Sequence, residues 1–129
     1  MDIEVELSQL VVNENSEQQV IVLKEKNGAR SLPIVIGIVE VMAIDRRLRG
    51  IKAPRPMTHD LIGNIINATG ATFEKVVITD LQAHTYYAKI HIKCNGQIAE
   101  VDSRPSDAIA LVVATGVPIY VAEEVFDKL

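Results

Sequence analysis

The sequence predicts an α+β domain in which a mixed, mostly antiparallel sheet packs against helices. Three observations predict it. Apolar residues alternate with polar ones in short runs, as in Ile3-Glu4-Val5-Glu6-Leu7. Two Asn-Gly pairs, Asn27-Gly28 and Asn95-Gly96, stand between such runs as hairpin signals. Three stretches with helical apolar spacing end at Gly50, Gly70 and Gly116.

Each element follows in order. Ile3, Val5 and Leu7 mark a first half-buried strand, and residues 13–17 read as a turn. Residues 20–23 form a second strand, and Asn27-Gly28 turns the chain into a third at 32–36. From 38 to 48, Ile38, Val41, Ile44 and Leu48 fit one helix face, closed by Gly50. Ala53-Pro54-Arg55-Pro56 is an extended connector, because a residue before proline avoids the helical region. Thr58 opens a second helix with Leu61, Ile62, Ile65 and Ile66 expected to face inward. Strands at 73–81 and 85–93, the Asn95-Gly96 turn and a strand at 98–102 come next. A helix over 105–115, a short strand at 119–122 and a helical turn complete the chain. Both halves therefore run strand, strand, Asn-Gly, strand, helix, as an internal duplication of such a unit would.

Composition narrows the class. With 129 residues, 48% hydrophobic and 23% charged, the chain reads as one domain over 1–129. That length buries roughly two thirds of the unfolded surface. Aromatics are only 4%, so Val, Ile, Leu and Ala must build the core. The single cysteine, Cys94, forbids an intrachain disulfide and points to a reducing, cytoplasmic setting. No secretory signal or membrane span is expected, and no P-loop or GxGxxG fingerprint supports nucleotide chemistry. A net charge of −4 argues against unselective adhesion to nucleic acid. Yet Arg46, Arg47, Arg49, Lys52 and Arg55 fall within one short segment that holds no acid between Asp45 and Asp60.

Two motifs stand out: Arg55-Pro56-Met57-Thr58-His59-Asp60 and Arg104-Pro105-Ser106-Asp107. Pro in a first helical turn, a Ser or Thr cap and an Asp at the positive end are ordinary helix-start chemistry. Helix chemistry does not explain an arginine ahead of each helix, or His59. A helix start flanked by arginine suits an anion, with phosphate the obvious one.

These motifs, with Leu32-Pro33-Ile34-Val35-Ile36-Gly37 before them and Ala108-Ile109-Ala110-Leu111 after, resemble the bifunctional nuclease domain family. The likeness covers nearly the whole chain and is to bacterial stand-alone members. In the family a glutamate is frequent just after the first-half glycine; here Ile38-Val39 intervene before Glu40. The resemblance implies an α/β-roll fold and nuclease activity, the family being named for DNase and RNase activity of plant members.

Phosphodiester hydrolysis needs an activated water and neutralisation of developing charge. His59, Asp60 and Asp107 are the candidate catalytic residues, imidazole titrating near neutrality. Arg55 and Arg104 are candidate phosphate clamps, with Arg46, Arg47, Arg49 and Lys52 as a surface that tracks the substrate. Asp60, Asp102 and Asp107 are candidate ligands for a divalent metal, Mg²⁺ or Mn²⁺. RNA or DNA is the expected partner, together with further copies of the chain. The alternative is a non-catalytic module that binds an anion or a protein, its Arg-Pro/Asp motifs acting as architectural locks.

Overall fold

The first half of the chain folds as a three-stranded meander. Strands β1 (Asp2–Val11), β2 (Gln18–Glu25) and β3 (Ser31–Gly37) pair antiparallel in succession, followed by helices α1 (Ile38–Leu48) and α2 (Thr58–Ala68). The second half repeats the layout with β4 (Thr72–Gln82), β5 (Thr85–Cys94), β6 (Gln97–Ser103) and α3 (Pro105–Val112). Strand β7 (Ile119–Ala122) and helix α4 (Glu123–Asp127) end the chain. These coordinates are a computed structural model that describes residues 1–129.

Strand order in the single sheet is β3-β2-β1-β7-β4-β5-β6, symmetric about β7. The last strand thus joins the two meanders, antiparallel to β1 and parallel to β4. It is the one parallel pairing in a mixed, mostly antiparallel sheet. Bulges in β1 and β4 bend the ladder. The sheet curls enough that Tyr86 on β5 donates its hydroxyl to the Pro33 carbonyl on β3 at 3.2 Å. Burial raises the Tyr86 phenol above its ordinary pKa.

Helix α3 is the centre of the core: Ala108, Ile109, Ala110, Leu111 and Val112 are all buried. Ile21, Leu23, Leu32 and Ile34 from the first meander and Val76, Ile78, Ala88 and Ile90 from the second enclose it together with Val41 and Ile44 of α1. The small aromatic content is compensated by close aliphatic packing, and no buried side-chain polar atom lacks a partner. Gln19, fully buried, ties down the β1–β2 turn by donating to the carbonyls of Asn13 (2.8 Å) and Ser16 (2.7 Å).

The structure corrects several expectations. Leu61, Ile62 and Ile65 do not face inward: no residue of α2 is buried, and of its four expected inward residues only Ile66 is partly covered. Leu48 is likewise half exposed, and α3 stops at Val112, where Thr115 Oγ1 donates to the Val112 carbonyl. Thr58 and Ser106 are not the caps, since Met57 and Arg104 occupy the N-cap positions. Asn27-Gly28 lies in a longer loop without a positive φ, where a Cβ on Gly28 would clash with the Glu25 carboxylate. That carboxylate accepts bonds from Arg30 Nε (3.1 Å), a terminal nitrogen of Arg30 (2.8 Å) and the Arg30 backbone N–H (2.9 Å).

The β5–β6 turn uses Asn95 (φ 53°) and Gly96 (φ 76°), whereas the β4–β5 turn forces Ala83 (φ 47°) and His84 (φ 64°) into the same left-handed region. Left-handed backbone without glycine is strained. Replacing Ala83-His84 by Asn-Gly is expected to stabilise the fold by about 1 kcal/mol, a rise of about 4 °C in thermal midpoint by calorimetry.

Candidate active site

The N-termini of three helices meet at one open cavity of about 660 Å³. Helix α1 contributes Val39 and Glu40, α2 contributes Thr58 and His59, and the start of α3 contributes Arg104 and Asp107. Each helix carries an acid at its third position: Glu40, Asp60 and Asp107. An acid there complements the positive helix end. The three carboxylates are nevertheless used in three different ways.

Asp60 is a structural joint. It accepts the Met57 backbone N–H (3.0 Å), Arg47 (2.6 Å) and Arg46 (3.4 Å). Arg47 reaches on to the Ala110 carbonyl through Nε and to the Leu111 carbonyl at 3.3 Å, near the negative end of α3. One arginine therefore fastens α1, α2 and α3 together. The Met57 N–H bond lowers the Asp60 pKa below its ordinary 3.8; burial opposes this and the two arginines add to it.

Asp107 joins the two sequence motifs. His59 Nε2 lies 2.9 Å from one of its oxygens, and Arg104 Nε donates to the other at 2.9 Å. Burial pushes the Asp107 carboxyl up, but hydrogen bonds from Arg104 and His59 outweigh that and hold its pKa below 3.8. Asp107 and, to a smaller degree, Glu40 hold the Arg104 guanidinium more firmly protonated. The His59 side chain is 15% exposed and that of Arg104 67%. The terminal nitrogens of Arg104 make no hydrogen bond within the chain.

Glu40 folds back toward Gly37, where a Cβ would come within 2.7 Å of both carboxylate oxygens. Glycine at position 37 is what admits that conformation. Glu40 and Arg104 also line an adjoining cleft of about 470 Å³ whose far wall carries His84 and Tyr86. Sequence reasoning left Glu40 outside the site and missed His84 and Tyr86. The placement of Glu40 at the third helical position, as for Asp60 and Asp107, was the available signal.

The remaining candidates are scattered. Arg46 and Arg49 line the main cavity, but Arg46 is tied to Asp60 and the Ile51 carbonyl, and Arg49 pairs with Asp45 at 3.2 Å. Lys52 lies with Asp60 and Arg47 in a separate cleft of about 390 Å³. Arg55 is exposed, forms no ion pair and lines neither cleft. Asp102 sits on the exposed edge strand β6, opposite Lys89. Asp60, Asp102 and Asp107 thus do not converge, and no three His, Cys, Asp or Glu side chains gather as a metal-holding group. The donor set does not fit a resident divalent ion.

Fold and site together define an α+β domain in which three helix N-termini and an exposed arginine surround a cavity beside a His–Asp pair. The chain belongs to the bifunctional nuclease domain family, whose model matches residues 21–129. An uncharacterized protein of Mycobacterium tuberculosis is 43% identical over 122 residues, covering 95% of this chain and 73% of that protein. Bifunctional nuclease 1 of Oryza sativa subsp. indica is 28% identical over 116 residues, 87% of this chain and 35% of the plant protein. Bifunctional nuclease 1 of Arabidopsis thaliana is 27% identical over 105 residues, with 78% and 32% coverage. The chain spans about a third of these plant proteins. No helix is long and apolar enough to cross a membrane.

Lowered carboxylate pKa values set the acid limb of stability. Asp60 and Asp107 lie below 3.8, and hydrogen bonds from Lys128, Gln82 and the Leu81 N–H take Asp80 to about 2. Their contribution is complete above the unfolded value near 3.8 and disappears as pH falls through the folded values. Urea midpoints followed from neutral pH to about pH 2.5 should drop steeply below about pH 4. Asp60→Asn should lower neutral stability by about 2 kcal/mol and flatten that drop.

Proposed function

We propose that the cavity at the three helix starts is a phosphodiester-hydrolysing site acting on RNA or DNA. The meeting of the two motifs through the His59–Asp107 pair, 48 positions apart, carries the reading. Asp107 is ionised at neutral pH and can only accept, so His59 donates its Nε2–H to it and Nδ1 is the nitrogen left to act as base. His59 then takes the proton of the attacking water as its oxygen bonds to phosphorus, while the P–O bond to the leaving sugar oxygen breaks and that oxygen takes a proton from solvent. Asp107 keeps the ring oriented and stabilises the imidazolium.

Arg104 donates its free terminal nitrogens to the non-bridging phosphate oxygens and neutralises charge that grows as the water adds. The N-terminal ends of α1, α2 and α3 reinforce that field. No step runs through a metal, because the expected carboxylate ligands are apart and two of them are already engaged by cationic side chains. Exposed Lys52 and Arg55 supply the approach surface for a polyanion. Half-exposed Cys94, the single cysteine, fits a reducing cytoplasm.

The non-catalytic alternative draws on one observation, the i,i+3 pairing of Arg104 with Asp107. An exposed pair of that kind is worth only about 0.5 kcal/mol, too little to explain the residue by stability alone. Purified protein should therefore cleave labelled single- or double-stranded RNA or DNA, assayed with Mg²⁺, Mn²⁺ or EDTA. His59→Ala, Asp107→Asn and Arg104→Ala should each lower kcat about 100-fold or more, with Arg104→Ala keeping its thermal midpoint. Activity that fails to co-purify, or that survives both His59→Ala and Asp107→Asn, would sink the assignment. A large stability loss in Arg104→Ala with unchanged phosphate affinity would favour the binding module.

A further inference from the structure

We infer that the cleft of about 470 Å³ beside the candidate active site is a nucleoside subsite, which takes the guanine of the nucleotide whose phosphate Arg104 holds. Arg104 and Glu40 are the two residues that line both spaces. A ligand whose phosphate meets the terminal nitrogens of Arg104 therefore has its next group at the mouth of this cleft. The volume lies within the range of small-ligand sites. The subsite rests on the phosphodiester-hydrolase reading only for the position of the phosphate.

The walls carry polar groups that the fold leaves without partners. Ser106 is 5% exposed, yet its hydroxyl makes no hydrogen bond within the chain. No side-chain polar atom is sealed off without a partner, so that hydroxyl keeps an opening, and this cleft is the space Ser106 lines. A nearly buried hydroxyl left unanswered is destabilising, and a ligand atom can complete it. The Glu40 carboxylate, folded back toward Gly37, makes no hydrogen bond or ion pair. Across the cleft the His84 imidazole also lacks a partner, on backbone held at φ 64°. Left-handed backbone without glycine concentrates at functional sites. Beside it the hydroxyl tie to the Pro33 carbonyl fixes the Tyr86 ring as a rigid wall.

Charge selects the occupant. Arg104, at the junction, is the one permanent cation of the lining, whereas Glu17 and Glu40 make the interior acidic. A second phosphate or an acidic side chain is repelled there. The cleft suits an anion at its mouth joined to a flat neutral group rich in hydrogen-bond donors. A nucleotide has that form: its base stacks on the aromatic wall of His84 and Tyr86 and turns its Watson–Crick edge to the polar side.

Among the bases, guanine alone offers two adjacent donors, N1–H and N2–H, which one carboxylate accepts together. Glu40 has both oxygens unengaged and is the reader, while the Ser106 hydroxyl donates to the neighbouring O6. Uracil and thymine place a carbonyl where guanine has its second donor, against a carboxylate oxygen. Within a duplex that edge is already paired, so the subsite favours single strands.

Calorimetric titration of the full chain with 5′-GMP, 5′-AMP, 5′-CMP and 5′-UMP in EDTA tests this without turnover. GMP is expected to bind about 10-fold more tightly than UMP, the discrimination of one two-point pair. Amide signals of residues 34–37, 84–86 and 106 should move on GMP addition. Glu40→Gln should bring GMP and UMP to similar affinity, and Ser106→Ala should weaken GMP several-fold. Arg104→Ala should weaken all the nucleotides alike. Ala83→Asn with His84→Gly, expected to stabilise the fold, should do the same by removing the stacking wall, a loss that unfolding cannot explain. A short single strand with one guanine should displace GMP, and the same strand annealed to its complement should not.

No GMP binding up to about 10 mM, equal affinity for GMP and UMP, or a preference kept in Glu40→Gln would each overturn the subsite. Amide changes confined to the Lys52 cleft, or a strand that fails to displace GMP, would do so too. The two readings fail separately. Guanine-selective binding without cleavage keeps the subsite and sinks the nuclease; cleavage without selectivity sinks the subsite alone.

Discussion

The contact between Arg47 and Asp60 is the constraint on which the rest of the site depends. Its 2.6 Å ion pair joins α1 to α2, and the same guanidinium reaches the carbonyls of Ala110 and Leu111 in α3. That joint and the His59–Asp107 pair are what hold α2 at a fixed angle, because the helix buries no side chain fully against the body. His59 follows Thr58 into α2 and meets Asp107 only because the helix is pinned at its first turn. A partly buried ion pair is weak evidence for stability but strong evidence for geometry: it selects one arrangement among several of similar energy.

Three helix starts with an acid at the same position show how one local rule serves different ends. Asp60 satisfies a backbone N–H and two arginines, which takes up most of its acceptor capacity. Asp107 is shared between a histidine and an arginine whose outer nitrogens remain open. Glu40 lies back over Gly37 and faces Arg104 across two clefts. Their roles are set by which cations the neighbouring elements present, a matter of tertiary placement that helix-end electrostatics alone does not decide.

Much of the fold was legible because it is written locally. The Asn95-Gly96 turn, the stops at Gly50 and Gly70, and the alternation in β1 each depend on residues a few positions apart. The direction in which α2 faces was not legible. Periodicity shows which residues share a side of a helix, but the body was assumed to lie beside Leu61 and Ile65 when ion pairs hold it against His59 and Asp60. In the site, the His59–Asp107 encounter spans 48 positions and has no local signature. The proximity of the two Arg-Pro motifs in chemistry was readable; that Asp60 is a fastener, Arg55 an outlier and Asp102 an edge-strand residue was not.

The position of β7 governs how this chain must acquire its shape. Only Ile119–Ala122 bridge the two meanders, and they emerge after every other strand. During synthesis each meander can form by itself, since its pairings are between neighbours in sequence. The sheet as a whole cannot. Both inner edges, β1 and β4, stay unpaired and prone to wrong partners until residues 119–122 have been made and can pair with them. Assembly is therefore a late closing step, in which a four-residue keystone strand converts two separate ribbons into one sheet.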